Sequence, residues 1–326
     1  MQNILKVIQE KKARLDAQRP LPADMQRNFL EWFRIELTYT SNAIEGNTLS
    51  RAQTALVVEK GITVEGKSIT EHLEAINHAK AFEYIQSLES QEIANITERT
   101  ILDIHSIILH GIDPSNAGRY RTVPVRIAGS TVILPNPLKV PNLMNDYIAW
   151  LHKQKRSAVD LAAEAHIRLV SIHPFTDGNG RTARLLMNLM LMQNGYPPAI
   201  IRKEDRNTYI NSIEKGQLTS DFSDYYPFIF RAVERSLDIY LEALEGDKKP
   251  KATPTKLLRI GELARLTNES VPTIRYWTRE GLLTIRDKTQ SGYQLYGNES
   301  IDRVKEIRNL QSKKRLTIKE IKQQLE

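Results

Sequence analysis

The stretch HPFTDGNGR, residues 173–181, places one imidazole, one carboxylate, one amide, two glycines and one arginine within nine positions. A second arginine follows at Arg184, three residues after Arg181, and so on the same face of a helix. Residues 161–171 have apolar side chains at helical spacing, and residues 185–192, LLMNLMLM, are apolar almost all round. The sequence therefore predicts a polar loop between a helix that ends near 171 and a buried helix that begins near 180.

This loop has the composition of a phosphate site with a base beside it. Gly178 and Gly180 allow backbone conformations in which amide N–H groups converge on one point. Those amides lie at the start of the next helix, where unpaired donors and the positive end of the helix dipole favour a phosphate. His173, with an ordinary pKa of about 6.5, is a natural general base near neutral pH. We therefore predict a nucleotide site rather than a simple turn.

The remaining polar residues of the stretch predict contacts to a nucleotide di- or triphosphate. Asp177 is suited to bind Mg²⁺, and Asn179 can donate a hydrogen bond to a phosphate oxygen. Arg181 and Arg184 can hold the outer phosphates bidentately. No part of the sequence indicates a nucleobase pocket. The predicted phosphate-binding set is Gly178, Asn179, Gly180, Arg181 and Arg184, with Asp177 as the metal ligand.

The stretch HPFTDGNGRTAR (173–184) resembles the signature of Fic domains, HPFx(D/E)GNGRxxR, with every fixed position present. Upstream, GRYR (118–121) precedes RTVPVRIAGSTVIL (121–134), whose β-branched residues on either side of a small-residue turn predict a β-hairpin that resembles the Fic flap. The resemblance covers roughly residues 95–235. It implies a mainly α fold: a Fic-type helical bundle with a β-hairpin flap.

Fic domains mostly transfer AMP from ATP to a hydroxyl side chain of a target protein and release pyrophosphate. The resemblance implies that His173 deprotonates the hydroxyl and that Asp177 holds Mg²⁺ between the α- and β-phosphates. It also implies that Asn179 and the glycine backbone cradle the phosphates, with the two arginines at the β/γ end. The flap would align the target by strand addition. Because the loop is expected to contact the phosphates rather than the nucleobase, transfer of a group other than AMP stays open.

A second short stretch, TSNAIEGN (40–47), predicts a control element. Ser41 and Glu45 are four apart and share one face of a helix that ends near Gly46. By itself this is an ordinary helix C-terminus, but it resembles the Fic inhibitory motif (S/T)xxxE(G/N), N-terminal to the core. The resemblance implies that Glu45 pairs with Arg184 and so pushes the phosphates of a bound nucleotide into a geometry that does not allow in-line attack. Alternatively, Glu45 orients a water molecule that removes AMP again.

The charge of the chain is unevenly divided. The net charge is +7, yet residues 246–326 carry 18 Lys and Arg against 10 Asp and Glu, while the rest carries 28 against 29. The C-terminal part is therefore the one expected to meet a polyanion such as nucleic acid, although a solvated basic face would explain the excess too. The small, polar, proline-containing stretch GDKKPKATPTK (246–256) predicts a linker in front of it.

The C-terminal part has a helix-turn-helix pattern. A short helix (261–267), a turn at 268–270 and a second helix from Pro272 are followed by a predicted hairpin wing (284–296, with its turn at Ser291 and Gly292) and two helices (298–312 and 317–325). IGELA, TIRYW and SGYQLY resemble the MerR-family winged helix-turn-helix, with Gln294 and Trp277 departing from its pattern. The groove-facing residues would be Thr273, Arg275 and Tyr276. A basic module for protein contact is the alternative.

Composition narrows the remaining function classes. The chain has no cysteine, which excludes disulfides, zinc–thiolate sites and a thiol nucleophile. No apolar run is long enough to span a membrane, and the N-terminus lacks the apolar core of a signal peptide, so we expect a cytoplasmic protein. With the chain ending at Glu326, we expect any homodimer to form through the Fic part or on DNA.

The sequence thus predicts four regions: an N-terminal helical region with the inhibitory motif (1–94, motif 41–47), a catalytic core (95–245), a linker (246–256) and a winged helix-turn-helix (257–326). The predicted function is an auto-inhibited protein AMP transferase with a DNA-binding module, using ATP as co-substrate and Mg²⁺ as cofactor. The alternatives are a transcriptional regulator that uses the Fic site as a nucleotide sensor, and a Fic enzyme that removes AMP.

Overall fold

The computed structural model describes residues 2–154, 156–245, 257–288, 293–297, 299–314 and 317–325. It divides the chain into two compact units, Met1–Glu245 and Gly246–Glu326. No helix within the described ranges is both long and apolar enough to cross a membrane. The helices of the first unit are α1 (Gln2–Asp16), α2 (Ala23–Ile44), α3 (Arg51–Lys60), α4 (Ile69–Ser87), α5 (Glu98–Ile108), α6 (Val140–His152), α7 (Ala158–Ile172), α8 (Asn179–Gln193), α9 (Arg206–Thr219) and α10 (Tyr225–Glu245).

The first unit is built around α8. Its side chains from Arg181 to Met192 are buried on every face, as the all-round apolar pattern predicts, and α7 packs along it as the main neighbour. Helices α2, α4 and α5 also contact α8, and α1 packs against α10. The region before residue 95 and the region after it therefore share one core. The mainly α fold is confirmed.

Side-chain caps fix where several helices begin. Ser50 and Ser68 each accept a hydrogen bond from the backbone N–H three residues later, and Gln53 and Glu71 return the bond in capping boxes. Ser157 caps α7 and starts this helix three residues before the apolar periodicity does. Helix α2 continues to Ile44, and its last two turns are buried in spite of their polar residues.

The β-hairpin predicted at 121–134 is wrong. Residues 121–135, all of them described, form an irregular segment with a bend and one turn, in which Ser130 N donates to Ile127 O at 3.1 Å, and none pairs as a strand. Pro124 has no N–H to give to a ladder. Instead, Arg121 Nη2 donates to Pro135 O at 2.6 Å, and Ser130 Oγ donates to Glu214 Oε1 on α9, also at 2.6 Å. Side-chain contacts shape this segment.

The second unit contains β1 (Leu258–Arg259), α11 (Ile260–Thr267), α12 (Val271–Arg279), β2 (Asp287–Lys288), β3 (Gln294–Tyr296), α13 (Glu299–Lys314) and α14 (Ile318–Leu325). The strands form an antiparallel sheet in the order β1-β3-β2, with Leu258 opposite Tyr296 and Asp287 opposite Leu295. Its core includes Trp277 and Tyr296. The predicted linker at 246–256 and the wing turn at 291–292 lie outside the described residues.

Gly118 tests how closely the chain packs against α5. It has φ of 66°, and an added Cβ would lie 3.0 Å from Ser106 Cβ and 3.1 Å from Leu102 O. Gly118→Ala is therefore expected to lower the free energy of unfolding by about 2 kcal/mol, through backbone strain plus overlap. Gly129→Ala is the matched control, since Gly129 has φ of 77° but open space around it, and should cost about 1 kcal/mol. Equal losses in urea unfolding would contradict the packing argument.

Candidate active site

The loop between α7 and α8 is closed by the side chain of Asn179. Phe175 N donates to Asn179 Oδ1 and Asn179 Nδ2 donates to Phe175 O, both at 2.9 Å. The side chain is buried, and both ends of its amide are occupied. The side chain therefore holds the loop in shape, and direct contact of Asn179 with a phosphate stays a prediction. The backbone N–H of Asn179 is a further donor for a ligand, because the first N–H groups of a helix have no partner within it.

His173 ends α7 in a left-handed conformation, with φ of 50° and ψ of 60°. Such angles are unusual for a residue with a Cβ and need support from neighbouring groups. The support comes from Arg121, whose Nε donates to His173 O at 2.8 Å and whose backbone N donates to Pro174 O at 2.9 Å. Arg121 is buried, and the sequence indicated its position only as the last residue of GRYR. It fixes the turn that presents His173.

The imidazole of His173 is a neutral base in this environment. Burial disfavours the charged ring and lowers the pKa of His173 to about 4, and the nearby guanidinium of Arg121 acts in the same direction. Glu45 and Asp177 raise the pKa but do not outweigh burial. Above pH 5 the ring is therefore unprotonated and able to accept a proton.

His105, which the sequence did not single out, supports the loop from α5. Its ring stacks on Phe175 with centroids 3.6 Å apart, and its Nδ1 accepts a hydrogen bond from Gly118 N at 3.0 Å. Because Nδ1 is the acceptor, Nε2 carries the hydrogen and donates to Asp177 O at 3.0 Å. Burial lowers the pKa of His105 to about 4, so it stays neutral. A histidine 72 positions before the loop thus fixes its backbone.

The start of α8 presents backbone donors next to two glycines. Gly178 precedes the helix with φ of 74°, and an added Cβ there would lie 3.3 Å from His105 Cδ2. At Gly180 an added Cβ would overlap the carboxylate of Glu45 and lie 2.9 Å from Arg184 Nη1. Only glycine leaves both side chains in their places. The predicted phosphate-binding glycines are therefore also positions where the backbone lies close to neighbouring side chains.

Arg181 lies at the loop but is already engaged. Its Nη1 donates to Glu74 Oε1 at 2.9 Å and its Nη2 to Asp177 Oδ2 at 3.1 Å, while the side chain is only 3% exposed. Glu74, a residue of α4 that the sequence did not indicate, also accepts from Asn47 Nδ2 through Oε2 at 2.9 Å. One carboxylate therefore joins the loop to the turn after α2. Direct contact of Arg181 with a phosphate stays a prediction.

Arg184 is held by the end of α2. Its Nε donates to Ser41 Oγ and its Nη2 to Ser41 O, both at 3.0 Å, and Nη2 also lies 2.6 Å from Glu45 Oε1. The guanidinium is buried, and the ion pair expected between Arg184 and Glu45 is present. Gly46 follows with φ of 106°, which turns the chain away after the carboxylate. The structure thus brings Ser41 and Glu45 of the second motif to Arg184, while Gly46 makes the turn that follows.

A buried polar network backs Arg184. Tyr209 on α9 lies close enough to its guanidinium to interact with it, and Tyr209 Oη is 2.8 Å from His166 Nε2. His166 Nδ1 in turn is 2.7 Å from Tyr225 Oη, which donates to Ala163 O. Since Tyr225 uses its hydrogen on that carbonyl, His166 donates through Nδ1 and accepts from Tyr209. The chain of contacts fixes each donor and acceptor behind the site.

In the second unit, the three residues predicted to contact DNA lie at the start of α12. Arg275 and Tyr276 are exposed, and the Arg279 guanidinium lies over the Tyr276 ring at 5.4 Å. The hydroxyl of Thr273 is 2.7 Å from that of Ser270, and Ser270 caps the helix through Thr273 N. A cavity beside α12 is lined by Arg259, Arg275, Tyr293, Gln294 and the first residues of α11. Arg275 is thus the cation of the predicted set, and it is exposed.

Comparison with known proteins supports both parts of the chain. A sequence profile of the Fic/DOC family matches residues 95–191, and one of the MerR HTH family regulatory proteins matches residues 258–326. The protein adenylyltransferase Fic of Nematostella vectensis is 39% identical over 241 residues, which cover 74% of this chain and 56% of that protein. That of Aedes aegypti is 41% identical over 212 residues, which cover 64% and 42%. The chain spans about half the length of these curated relatives.

Solved structures agree with these similarities. A fragment of Fic-1 from C. elegans superposes with a TM-score of 0.69 at 33% identity, covering 75% of this chain and 72% of that one. A Fic domain-containing signaling protein from Bacteroides thetaiotaomicron gives a TM-score of 0.67 at 29% identity, covering 74% and 98%. With the complete loop signature folded around His173 and the start of α8, the chain belongs to the Fic/DOC family.

Proposed function

We propose that this chain transfers AMP from ATP to a hydroxyl side chain of a target protein and that Glu45 inhibits the transfer. The observation that carries the proposal is the arrangement around α8: a neutral His173 beside the helix start, with Arg184 paired to Glu45 instead of to a phosphate. The curated relatives of this chain are protein adenylyltransferases, which supports the same reaction.

His173 takes the proton in the proposed reaction. The target hydroxyl oxygen forms a bond to the α-phosphorus while the bond to the bridging oxygen of the β-phosphate breaks and pyrophosphate leaves. The hydroxyl proton passes to an imidazole nitrogen of His173, which is available because burial keeps the ring neutral. The backbone N–H groups at the start of α8 stabilise the negative charge on the phosphates.

The residues present fit one Mg²⁺ shared with the nucleotide. Asp177 has a side chain that is 66% exposed, and its carboxylate is the exposed acidic group of the loop. Among the described residues, no three metal-ligating side chains gather into an all-protein site, which suits an ion that takes most of its ligands from phosphates and water. When bound, Mg²⁺ neutralises phosphate charge. Asp177 would hold the ion, and Arg181 keeps that carboxylate oriented at the loop.

Glu45 inhibits by occupying the position of an outer phosphate. Its carboxylate is the anion on Arg184, and it lies where any side chain at residue 180 would be. A triphosphate must therefore displace Glu45 or adopt a geometry unsuited to in-line attack. Since the Glu45 side chain is 36% exposed, a second candidate role is to orient a water molecule that removes AMP from a modified target.

Replacement of His173 tests the base. His173→Ala is expected to lower AMP transfer by about 10²–10⁴-fold, the usual contribution of a general base, while ATP binding in calorimetry changes little. In the active Glu45→Gly background, the rate should be constant from pH 6 to 8. It should fall only toward pH 4, where His173 becomes protonated, because burial has lowered its pKa to about 4. A loss of ATP binding equal to the loss of transfer would refute this role.

Replacement of Glu45 tests the inhibition. Glu45→Gly is expected to raise label transfer from α-³²P ATP, auto-modification included, on the order of tenfold or more, because Arg184 becomes available to the nucleotide. Glu45→Gln keeps the shape and a hydrogen bond but loses the charge, so it should raise transfer less. Adding Arg184→Ala to Glu45→Gly should abolish the gain. Wild-type levels of transfer in Glu45→Gly would exclude inhibition by this residue.

We further propose that the second unit binds DNA. The match to MerR regulators, the basic balance of residues 246–326 and the exposed Arg275 on α12 support this role. The target protein would then be modified by an enzyme located on DNA. The alternative, a regulator in which the Fic site only senses nucleotide, retains the same DNA contacts but predicts no adduct of AMP on any protein.

The DNA proposal predicts a steep dependence of binding on salt. Lys and Arg contacts to phosphates release counterions, so affinity should fall by orders of magnitude between 50 and 200 mM salt. Arg275→Ala should weaken binding in gel shifts and lower the salt slope by about 1. Glu280→Ala, a change at the residue that directly follows the same helix, serves as the control and should not weaken binding. Binding that is insensitive to salt would indicate a protein partner for this unit instead.

A further inference from the structure

A second cavity lies beside the candidate active site in the first unit. It has a volume of about 540 Å³ between α6, α7 and the start of α10. Most of its wall is apolar and aromatic: Pro135, Leu143, Tyr147, Trp150, Ile172 and Phe222. The reaction proposed above uses none of these residues. A concave apolar surface of this size is typical of a binding site.

The cavity is joined directly to the catalytic loop. Ile172, on its wall, is covalently next to His173, and Pro135, also on its wall, ends the 121–135 segment. The single guanidinium of Arg121 bonds both to Pro135 O at 2.6 Å and to His173 O at 2.8 Å. Because the wall includes the neighbour of His173, and an extended polypeptide advances about 3.3 Å per residue, a target side chain a few residues from a hydroxyl at His173 is within reach of the cavity.

The surface next to the cavity suits an extended protein segment. Val123, Ile133 and Leu138 are exposed large apolar residues close together in sequence around the 121–135 segment, with Ile133 84% exposed and Leu138 85% exposed. Apolar surface left open next to an apolar cavity marks an interaction site rather than a core.

The charged residues at the rim of the cavity indicate which charge a bound protein segment carries. Arg168 lies over the Trp150 ring at 4.3 Å, and its charge is balanced by Glu164, which also pairs with Arg156. Asp146 lines the same cavity and is exposed, and it forms no ion pair with any residue in the described ranges. Among the described residues, Asp146 is therefore the rim carboxylate without an ion-pair partner, and it favours a cation at its own position.

We propose that this cavity is a specificity subsite for the target protein: it takes an apolar side chain a few residues from the modified hydroxyl, with a Lys or Arg next to that side chain facing Asp146. The proposal rests on the proposed transfer of AMP and adds the class of sequence that receives it. It assigns to Leu143 and Asp146 a role in choosing the target, apart from the residues that bind ATP.

Mapping of modified sites tests the subsite. The full-length Glu45→Gly protein is incubated with cell lysate and ATP, and the modified sites are sequenced by mass spectrometry and aligned on the hydroxyl residue. An apolar residue should be enriched at one fixed distance, with Lys or Arg beside it. In Glu45→Gly with Asp146→Lys, the preference for basic over acidic residues should fall about threefold or more. Glu45→Gly with Glu59→Lys, a matched charge change at an exposed site on α3, should keep the preference.

The apolar wall is tested in the same way. Glu45→Gly with Leu143→Arg should lose the apolar preference by about tenfold, whereas Leu218→Arg, at an exposed site on α9, should retain it. ATP binding by calorimetry identifies a variant that has not folded, and the exposed Asp146→Lys change then decides the outcome. Modified sites without a fixed apolar position, or preferences unchanged in both cavity variants, would overturn the subsite. Absence of any modified protein would instead refute the transfer itself.

Discussion

The ion pair between Glu45 and Arg184 is the interaction on which the arrangement of the site depends. A buried guanidinium costs several kcal/mol in lost hydration unless anions and acceptors replace the water, and here Ser41 and Glu45 supply them. The end of α2 is therefore held at the loop by the electrostatic requirement of a residue on α8. The same requirement would make the pair exchangeable, since a nucleotide phosphate is also an anion with which Arg184 could pair. In the function proposed above, inhibition and transfer would be two ways of neutralising one buried charge.

Helix α9 supports three parts of this arrangement at once. At its start, Arg206 Nε donates to Ile44 O at 2.6 Å and so holds the last residue of α2. One turn later, Tyr209 lies beside Arg184, and further along Glu214 accepts a hydrogen bond from Ser130 in the 121–135 segment. Packed helices shift as units rather than deforming residue by residue. The end of α2, Arg184 and the 121–135 segment therefore share one rigid support.

The sequence predicted what depends on local spacing. The interval of four residues between Ser41 and Glu45 fixes one helix face, and the all-round apolar pattern of α8 fixes its burial, because both follow from 3.6 residues per turn. It could not predict His105 or Glu74, which reach the loop from 72 and 107 positions away. A periodic pattern reports that a face is buried but not what packs on it. The hairpin was wrongly predicted for the same reason, since the contacts of Arg121 and not local spacing determine the conformation of residues 121–135.

The surroundings of Gly180 support a steric as well as an electrostatic part in the proposed inhibition. The volume that a Cβ would fill there is taken by the Glu45 carboxylate, next to the N–H groups where a phosphate would bind. Glu45 would therefore compete both for space at the helix start and for the charge of Arg184. Dissolved ions screen a buried pair far less than an exposed one, and no ion restores the lost volume. Ionic strength alone should consequently leave the Glu45–Arg184 pair intact. If Glu45 inhibits as proposed, release would require a ligand or a partner that moves the end of α2.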